Sequence, residues 1–465
     1  MCGIAGVYRK MPIDLFYDRS LHTVETMLDR IEHRGPDSRG TYEIDNALHG
    51  HVRLSLVDLT RMSEQPYLYR DSVLSFNGEI WNFRELRSEI DEEFETTGDT
   101  EVLAILLDRK GIDCLNDLDG MFAFAFSSSD GSHFLARDRH GKIPLYFTND
   151  NGYIKWASER KAFDAGEVPV PLPPGSVLDL ETGEISKWYK MDAAEPLDER
   201  STIDLLRQGV RKRMNLDAEI CCLISGGIDS SLILTMAKEI RSDIVAYTAV
   251  FDDSSNDLAA SRRLCAELEV PLIEVKVDEL DITTAIKTIE ICSKAQIEIA
   301  SLCVPLARRI SKDGFKACLS GEAADELFGG YGNFCIKASL AQTDEEVILL
   351  RKAQLEKMSR GNFIRCNKAF MAHGVECRLP FMEDELVDRA IQSNLKQSPS
   401  GKKLLKLAAR GIVPDFIIKR QKETFQGSAN VSAHQAAINQ SPIKAYNHEA
   451  KNIFGYRPTS YRLDV

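Results

Sequence analysis

The sequence holds no apolar run approaching the ~20 residues needed to cross a bilayer, so neither a membrane span nor a membrane partner is expected. No apolar h-region follows the first Met, which argues against secretion. The 11 cysteines are odd in number and scattered, and no C-x-x-C pair occurs among them. That argues against a zinc site and a disulfide framework, and it points to the reducing cytoplasm. Positive charge is in short supply: 58 Lys and Arg face 71 Asp and Glu, for a net charge of -13. A field of that sign argues against nucleic acid as a partner, though not against a local basic pocket. No internal repeat or low-complexity tract is visible.

What is present belongs to a globular chain. Of 465 residues, 43% are apolar and 28% charged. That length is too great for one ordinary domain, and two or three are expected.

One stretch organises the second half. Residues 223–231 read L-I-S-G-G-I-D-S-S. Before it stands the apolar run Glu219 to Ile224, suited to a buried parallel strand, and after it a helix-forming run from Leu232 to Lys238. A strand, a Gly-Gly turn and a helix start form a phosphate cradle, because glycines admit an anion close to the backbone and free N–H groups point at it. Leu223, Ser225, Gly226, Gly227, Asp229 and Ser230 form this cradle. It is not a Walker A loop, since no G-K-[ST] follows the glycines. Asp229 beside a phosphate needs a divalent ion between them, which makes it a magnesium ligand. The plainer alternative is a strand–turn–helix corner capped by Asp229 and Ser230.

Around the cradle, apolar strands alternate with helices. An amphipathic helix covers Ile203 to Arg213, and strands are expected over Ile244–Val250 and Leu272–Val277. Asp257 falls just before a helix, and a further strand ends at Ser320-Gly321. Such alternation implies a parallel, doubly wound α/β sheet with its ligand at the carboxyl ends of the strands. Asp229 and Asp325, at the ends of different strands, would then share magnesium on the phosphates.

The first half reads as layered antiparallel strands with two or so helices. It opens M-C-G-I-A-G-V-Y. If Met1 is removed, Cys2 carries its own base, an α-amino group with a reference pKa near ~8. Otherwise Cys2 is a small buried hydrophobe on a strand. Asn77-Gly78 is either a hairpin turn or an oxyanion hole of one side-chain amide and one backbone N–H. Asp99 stands at a helix N-cap, and Arg53 lies in an alternating strand, where an Arg is exposed or paired. A hairpin is expected around Thr182-Gly183, and the polar stretch 191–202 marks a domain boundary.

Taken in order, M-C-G-I-A-G, E-H-R-G-P-D, H-V-R-L-S-L-V-D, F-N-G-E-I-W-N and G-D-T-E resemble the class II glutamine amidotransferase domain. With S-G-G-I-D-S-S, the chain as a whole resembles the glutamine-hydrolysing asparagine synthetase family. The resemblance implies an N-terminal αββα sandwich of the Ntn-hydrolase type over 1–190, of α+β class. Over 200–465 it implies a doubly wound PP-loop domain. It makes Cys2 the nucleophile on the glutamine amide and gives the oxyanion to Asn77 and Gly78. Arg53 would pair with the α-carboxylate and Asp99 with the α-ammonium, with Glu79 helping.

In the second domain the resemblance implies ATP and Mg2+, an acyl-adenylate, and aspartate as acceptor. Val250, Asp257, Ser320 and Gly321 join the cradle residues around ATP. Glu322 sits at the reacting carboxyl group, and Lys422 stabilises charge on the phosphorus and the leaving group. The family motif S-G-E-G-S-D-E departs here at Ala323 and Ala324, while Glu322, Asp325 and Glu326 are kept. A homodimer is compatible with the resemblance. The chain stops soon after Pro458-Thr459-Ser460, so an acceptor site less closed than in longer relatives is expected.

One position breaks the pattern. Family members commonly carry T-T-I-R ahead of S-G-E, and an ungapped count back from Ser320 places Ala295-Gln296-Ile297-Glu298 there. An acceptor carboxylate ~4 Å from Glu298 would meet roughly 4 kcal/mol of repulsion at an effective dielectric of about 20. Glu298 therefore tunes the acceptor unless another cation, such as Arg308 or Arg378, intervenes. Alternatively a shifted alignment leaves Glu298 facing solvent on a helix. Three functions follow: asparagine synthesis; the same machinery amidating a sugar acid, a peptide or a secondary metabolite; and a non-catalytic scaffold. The last is disfavoured because Cys2, Asp229, Asp325 and Lys422 are all present.

Overall fold

The computed structural model describes residues 1–10, 17–150, 152–191, 194–251, 253–393 and 402–420. The chain divides into two compact units, one formed mainly by Met1–Lys190 and one that begins at Met191.

The first unit is built on period-two patterning. Along Gly120–Ser128, the side chains of Phe122, Phe124 and Phe126 enter one hydrophobic cluster, while Met121, Ala123 and Ala125 enter another. The bulky face meets the helix Asp99–Lys110 through Val102, Leu103 and Leu106. The small face lets a second sheet approach, with Ile4, Tyr8, Ile154 and Trp156 opposite. That second sheet runs in the order Val170–Pro171, Tyr146–Asp150, Tyr153–Ala157, Gly3–Arg9, Ala47–Arg53, Ser38–Ile44. The sheet holding the phenylalanines runs Ile185–Lys187, Ser176–Asp179, His133–Arg137, Gly120–Ser128, Ser72–Ile80, Tyr67–Tyr69. On the outer side of the second sheet, helix Tyr17–Ile31 buries Val24, Leu28 and Ile31 against Ala5, Val7 and Val52. Helix, sheet, sheet and helix make an αββα sandwich.

The second unit carries five parallel strands in the order Leu272–Lys276, Ala246–Val250, Ile220–Leu223, Ala317–Leu319, Glu376–Arg378. In chain order that is third, second, first, fourth, fifth. The winding reverses between the first and fourth strands, and a doubly wound sheet opens its ligand crevice at that point. The strands are a residue or two shorter than the apolar runs suggest, at one end or the other. Cys221, Cys318 and Cys377 stand side by side on three neighbouring strands. They serve as small buried hydrophobes, and burial pushes the Cys318 thiol up to about 11, away from the reactive thiolate. Among the described residues no helix is long and apolar enough to cross a membrane.

Candidate active sites

Cys2 leads into the strand Gly3–Arg9 and is held on three sides. Its N–H donates to Asn77 Oδ1 at 2.9 Å. Its carbonyl accepts from Arg34 Nε at 2.9 Å, and its Sγ lies 3.8 Å from the Leu54 carbonyl. Asn77 is fixed in turn, because its Nδ2 donates to Ser158 Oγ at 3.3 Å, and that hydroxyl also accepts from Ile4 N at 3.0 Å. Asn77 and Gly78 lie inside the nine-residue strand Ser72–Ile80, so the hairpin alternative is excluded.

That strand outruns its neighbour. Tyr67–Tyr69 pairs only with residues 72–74. Beyond Leu74 the even-numbered residues turn their backbone groups toward an edge that no described strand covers. Side chains take the place of the missing strand. Gln65 Oε1 accepts from Phe76 N at 2.7 Å, and Asp99 Oδ2 accepts from Ile80 N at 2.9 Å. His51 Nε2 meets the Phe76 carbonyl at 3.1 Å. Burial holds that ring neutral, with its pKa down at about 3, so its N–H donates. Gly78 lies between the two capped positions. A Cβ at Gly78 would stand 2.1 Å from the Met121 carbonyl, so no larger residue fits there.

Asp99 is the first residue of its helix, and the N-cap is Gly98. This corrects the expected N-cap. The carboxylate turns to the strand edge, where Ile80 N would otherwise be buried without a partner. Arg53 is buried and paired, donating to the carbonyls of Thr60 at 2.7 Å and of Asp58. Glu79, next along the strand, is buried too.

Arg34 and Glu159 carry weight that the sequence reading did not assign. Both are fully buried, 2.6 Å apart. Glu159 also meets Lys161 at 2.8 Å and His33 at 3.3 Å. Burial would raise its carboxyl, but Lys161, His33 and Arg34 hold it well below the usual range. Arg34 lies within E-H-R-G-P-D, so its motif was visible; Glu159 had no signal.

In the second unit, the loop after Ile220–Leu223 turns at Gly226, whose φ is 70°; a Cβ there would lie 2.2 Å from the Asp257 carbonyl. Gly227 is the N-cap of helix Ile228–Ile240. Asp229 and Ser230 therefore sit in the first turn rather than capping it. The Ser230 hydroxyl accepts from Ser225 N at 3.1 Å and closes the loop. At Gly321 a Cβ would stand 2.8 Å from Ser230 N, so the turn after Leu319-Ser320 needs glycine to pack on the cradle. Val250 is buried at the end of its strand. Asp257 lies inside the helix Asn256–Glu267, capped by Ser255, not just before it. Its carboxylate takes Arg420, which also donates to the Gly226 carbonyl at 2.9 Å.

Asp229 and Asp325 converge on one cation. Lys402 Nζ bonds the Asp229 carboxylate and lies 2.7 Å from Asp325 Oδ1. Burial opposes the charge on Lys402, but the two carboxylates outweigh it and raise its pKa. These are the two carboxylates expected to share magnesium, and both lie within reach of one ammonium. Among the described residues no group of three or more His, Cys, Asp or Glu side chains could hold a metal ion alone, so phosphate oxygens would complete the shell. Lys402 was missed because G-K-K-L-L-K reads as a solvated face. Lys422 lies outside the described residues.

Glu322 takes the buried guanidinium of Arg365 and, at 3.3 Å, the amide of Asn362. Gln296 joins both, accepting from Arg365 at 3.0 Å and donating to Asn362 at 2.9 Å. Glu326 accepts from Asn362 at 3.0 Å and from Tyr331 at 2.9 Å. Burial, then Glu322 and Asp325, raise its carboxyl to about 7. Glu298 is fully buried on helix Lys294–Lys312, with Lys294 Nζ at 3.7 Å, which overturns the solvent-facing alternative. Arg308 is exposed, and Arg378 is taken by Glu376 at 2.6 Å. Arg365 is the cation that meets Glu322.

Ala323 stands at φ 80°, a left-handed conformation that favours glycine. One of the two departures from the family motif thus falls where a Cβ is strained. Ala323→Gly is expected to stabilise the protein by about 0.5–1 kcal/mol, after the entropy a glycine adds to the unfolded chain. Thermal unfolding checks this, and a lower melting temperature would show that Ala323 is unstrained.

Comparison with known proteins agrees with the two units. Residues 1–177 match the family model of the glutamine amidotransferase domain, and residues 202–354 and 349–456 match that of asparagine synthase. Asparagine synthetase B [glutamine-hydrolyzing] of Escherichia coli (strain K12) is 32% identical over 473 residues, covering 93% of this chain and 83% of that protein. Asparagine synthetase [glutamine-hydrolyzing] 3 of Arabidopsis thaliana is 30% identical, covering 93% of this chain and 80% of that protein. A probable asparagine synthetase [glutamine-hydrolyzing] of Schizosaccharomyces pombe is 29% identical, covering 93% and 85%. The chain therefore belongs to the glutamine-hydrolysing asparagine synthetase family.

Proposed function

We propose that the chain converts aspartate to asparagine, with ammonia drawn from glutamine and activation by ATP. In the first unit the Cys2 thiol adds to the glutamine side-chain amide. Asn77 and the Gly78 N–H receive the oxyanion, ammonia departs, and water hydrolyses the thioester to glutamate. The α-amine freed by removal of Met1 would be the nitrogen now 2.9 Å from Asn77 Oδ1. Arg53 and Asp99 grip the two charged ends of the amino acid.

In the second unit an oxygen of the acceptor carboxylate attacks the α-phosphorus of ATP, and pyrophosphate leaves from the cradle. Ammonia then adds to the acyl carbon, AMP leaves, and Glu322 lies at the reacting carboxyl to take the proton. Magnesium, held by Asp229 and Asp325 with phosphate oxygens, would screen the charge on the pyrophosphate. Lys402 and Arg420 supply further positive charge beside the cradle.

The observation that carries this reading is the meeting of Asp229 and Asp325 on one cation at the point where the sheet reverses. A second reading, the same chemistry on a different carboxylate, is favoured by the buried Glu298. Pyrophosphate release with ATP and ammonia, across a panel of carboxylic acids, separates them. Aspartate is expected to give the fastest release. An acid that outruns it about tenfold would replace it as acceptor. Glu298→Arg should change the aspartate KM or kcat. Identical constants in parent and variant would remove Glu298 from the acceptor site.

A further inference from the structure

The two groups assigned to the charged ends of glutamine lie on separate segments. Arg53 ends the strand Ala47–Arg53, and its guanidinium is wrapped by the loop that follows, through the carbonyls of Asp58 and Thr60. Asp99 starts the helix Asp99–Lys110 and is delivered by residues 95–98. The Asp58 side chain joins the two. One oxygen, Oδ1, accepts from Thr60 N at 3.0 Å and from Thr60 Oγ1 at 2.6 Å, which closes the loop around Arg53. The other, Oδ2, accepts from Thr97 N at 2.8 Å, two residues ahead of Asp99. Asp58 is 4% exposed and has a φ of 51°, so the loop holds it in a conformation that needs its side-chain bonds. Burial alone would raise its carboxyl. The bonds from Thr60 and Thr97 outweigh burial and hold it at about 2, charged throughout the working range.

We propose that Asp58 is a positioning residue that sets the spacing between Arg53 and Asp99, and so makes a free α-amino acid end a condition of amide hydrolysis. This rests on the reading of Arg53 and Asp99 given above. An amide with only one charged end can satisfy Arg53 or Asp99 but gains nothing from their spacing. A substrate with both ends gains from both contacts only when the spacing is right.

The test uses the full-length protein and three amides. These are glutamine, 4-carbamoylbutanoate without the α-ammonium, and 4-aminobutanamide without the α-carboxylate. Glutamate or the corresponding acid is measured at steady state. Asp58→Asn removes the anion that binds both segments. It is expected to raise the glutamine KM about tenfold with kcat within about threefold, and to cut the preference for glutamine over each analogue about tenfold. The preference is a ratio of kcat/KM values, so any loss of folded enzyme cancels. If Asp58→Asn folds too poorly to assay, Thr60→Val removes one donor to the same carboxylate and should lower the preference about threefold. An equal loss on all three amides would mean that Asp58 only supports the fold, and it would overturn the proposal. Arg53→Ala and Asp99→Ala separate the two levels. If they leave the glutamine KM unchanged, the glutamine site itself is misplaced. If they raise it while Asp58→Asn leaves the preference intact, the positioning role alone fails.

Discussion

Cys2→Ala is expected to remove glutamine-driven synthesis by about 1000-fold or more while synthesis from added ammonia continues at the parent rate. In the proposed reaction the thiol is the nucleophile of the first half-reaction and has no part in the second. Asn77 and the Gly78 N–H remain in the variant, so the site can still bind glutamine but cannot form the thioester. Assays of glutamate release and of ATP consumption with ammonium chloride measure the two halves separately. Glutaminase activity at the parent rate in Cys2→Ala would sink the assignment. Mass spectrometry of the purified active protein gives an independent check, because the proposed base exists only once Met1 is gone. Fully active protein that retains Met1 would rule out the α-amine as base.

The second large effect is expected in adenylation. Asp229→Asn, Asp325→Asn and Lys402→Met should each slow ATP–pyrophosphate exchange about 100-fold or more, with glutaminase activity retained. Each change leaves the shared contact one charge short. The two carboxylates meet on a single cation, so Asp229→Asn and Asp325→Asn together should cost far less than the product of the separate losses. Strictly multiplicative losses would mean that the two groups act at different places. Exchange at the parent rate in Lys402→Met would leave that residue as packing only.

Much of this was legible because the chemistry is written in short contiguous motifs. L-I-S-G-G-I-D-S-S announced a strand, a turn and a helix, and those elements are present at Ile220–Leu223 and Ile228–Ile240. The alternation in D-G-M-F-A-F-A-F-S marks a strand, and that strand is present at Gly120–Ser128. What stayed hidden depends on contacts between distant segments. Glu159 meets Arg34 across 125 residues, and Lys402 meets Asp229 across 173. No local pattern marks either pair, since a lone Lys or Glu reads as surface. Asp99 shows the same limit at short range. Its position before a helix suggested capping, yet the partner that claimed it is an N–H on a strand 19 residues earlier.

The uncovered stretch from Phe76 to Ile80 has a further consequence. A bare strand edge is the usual starting point for one polypeptide to pair with another and aggregate. Among the described residues, the side chains of Gln65, His51 and Asp99 fill hydrogen-bonding positions on either side of Gly78, so a passing strand finds few open rungs. A ladder needs several consecutive rungs to hold a chain in register, whereas a single planar amide needs only one. The same plugs that keep foreign strands away therefore leave the Gly78 backbone between them, which is where the proposed oxyanion would sit.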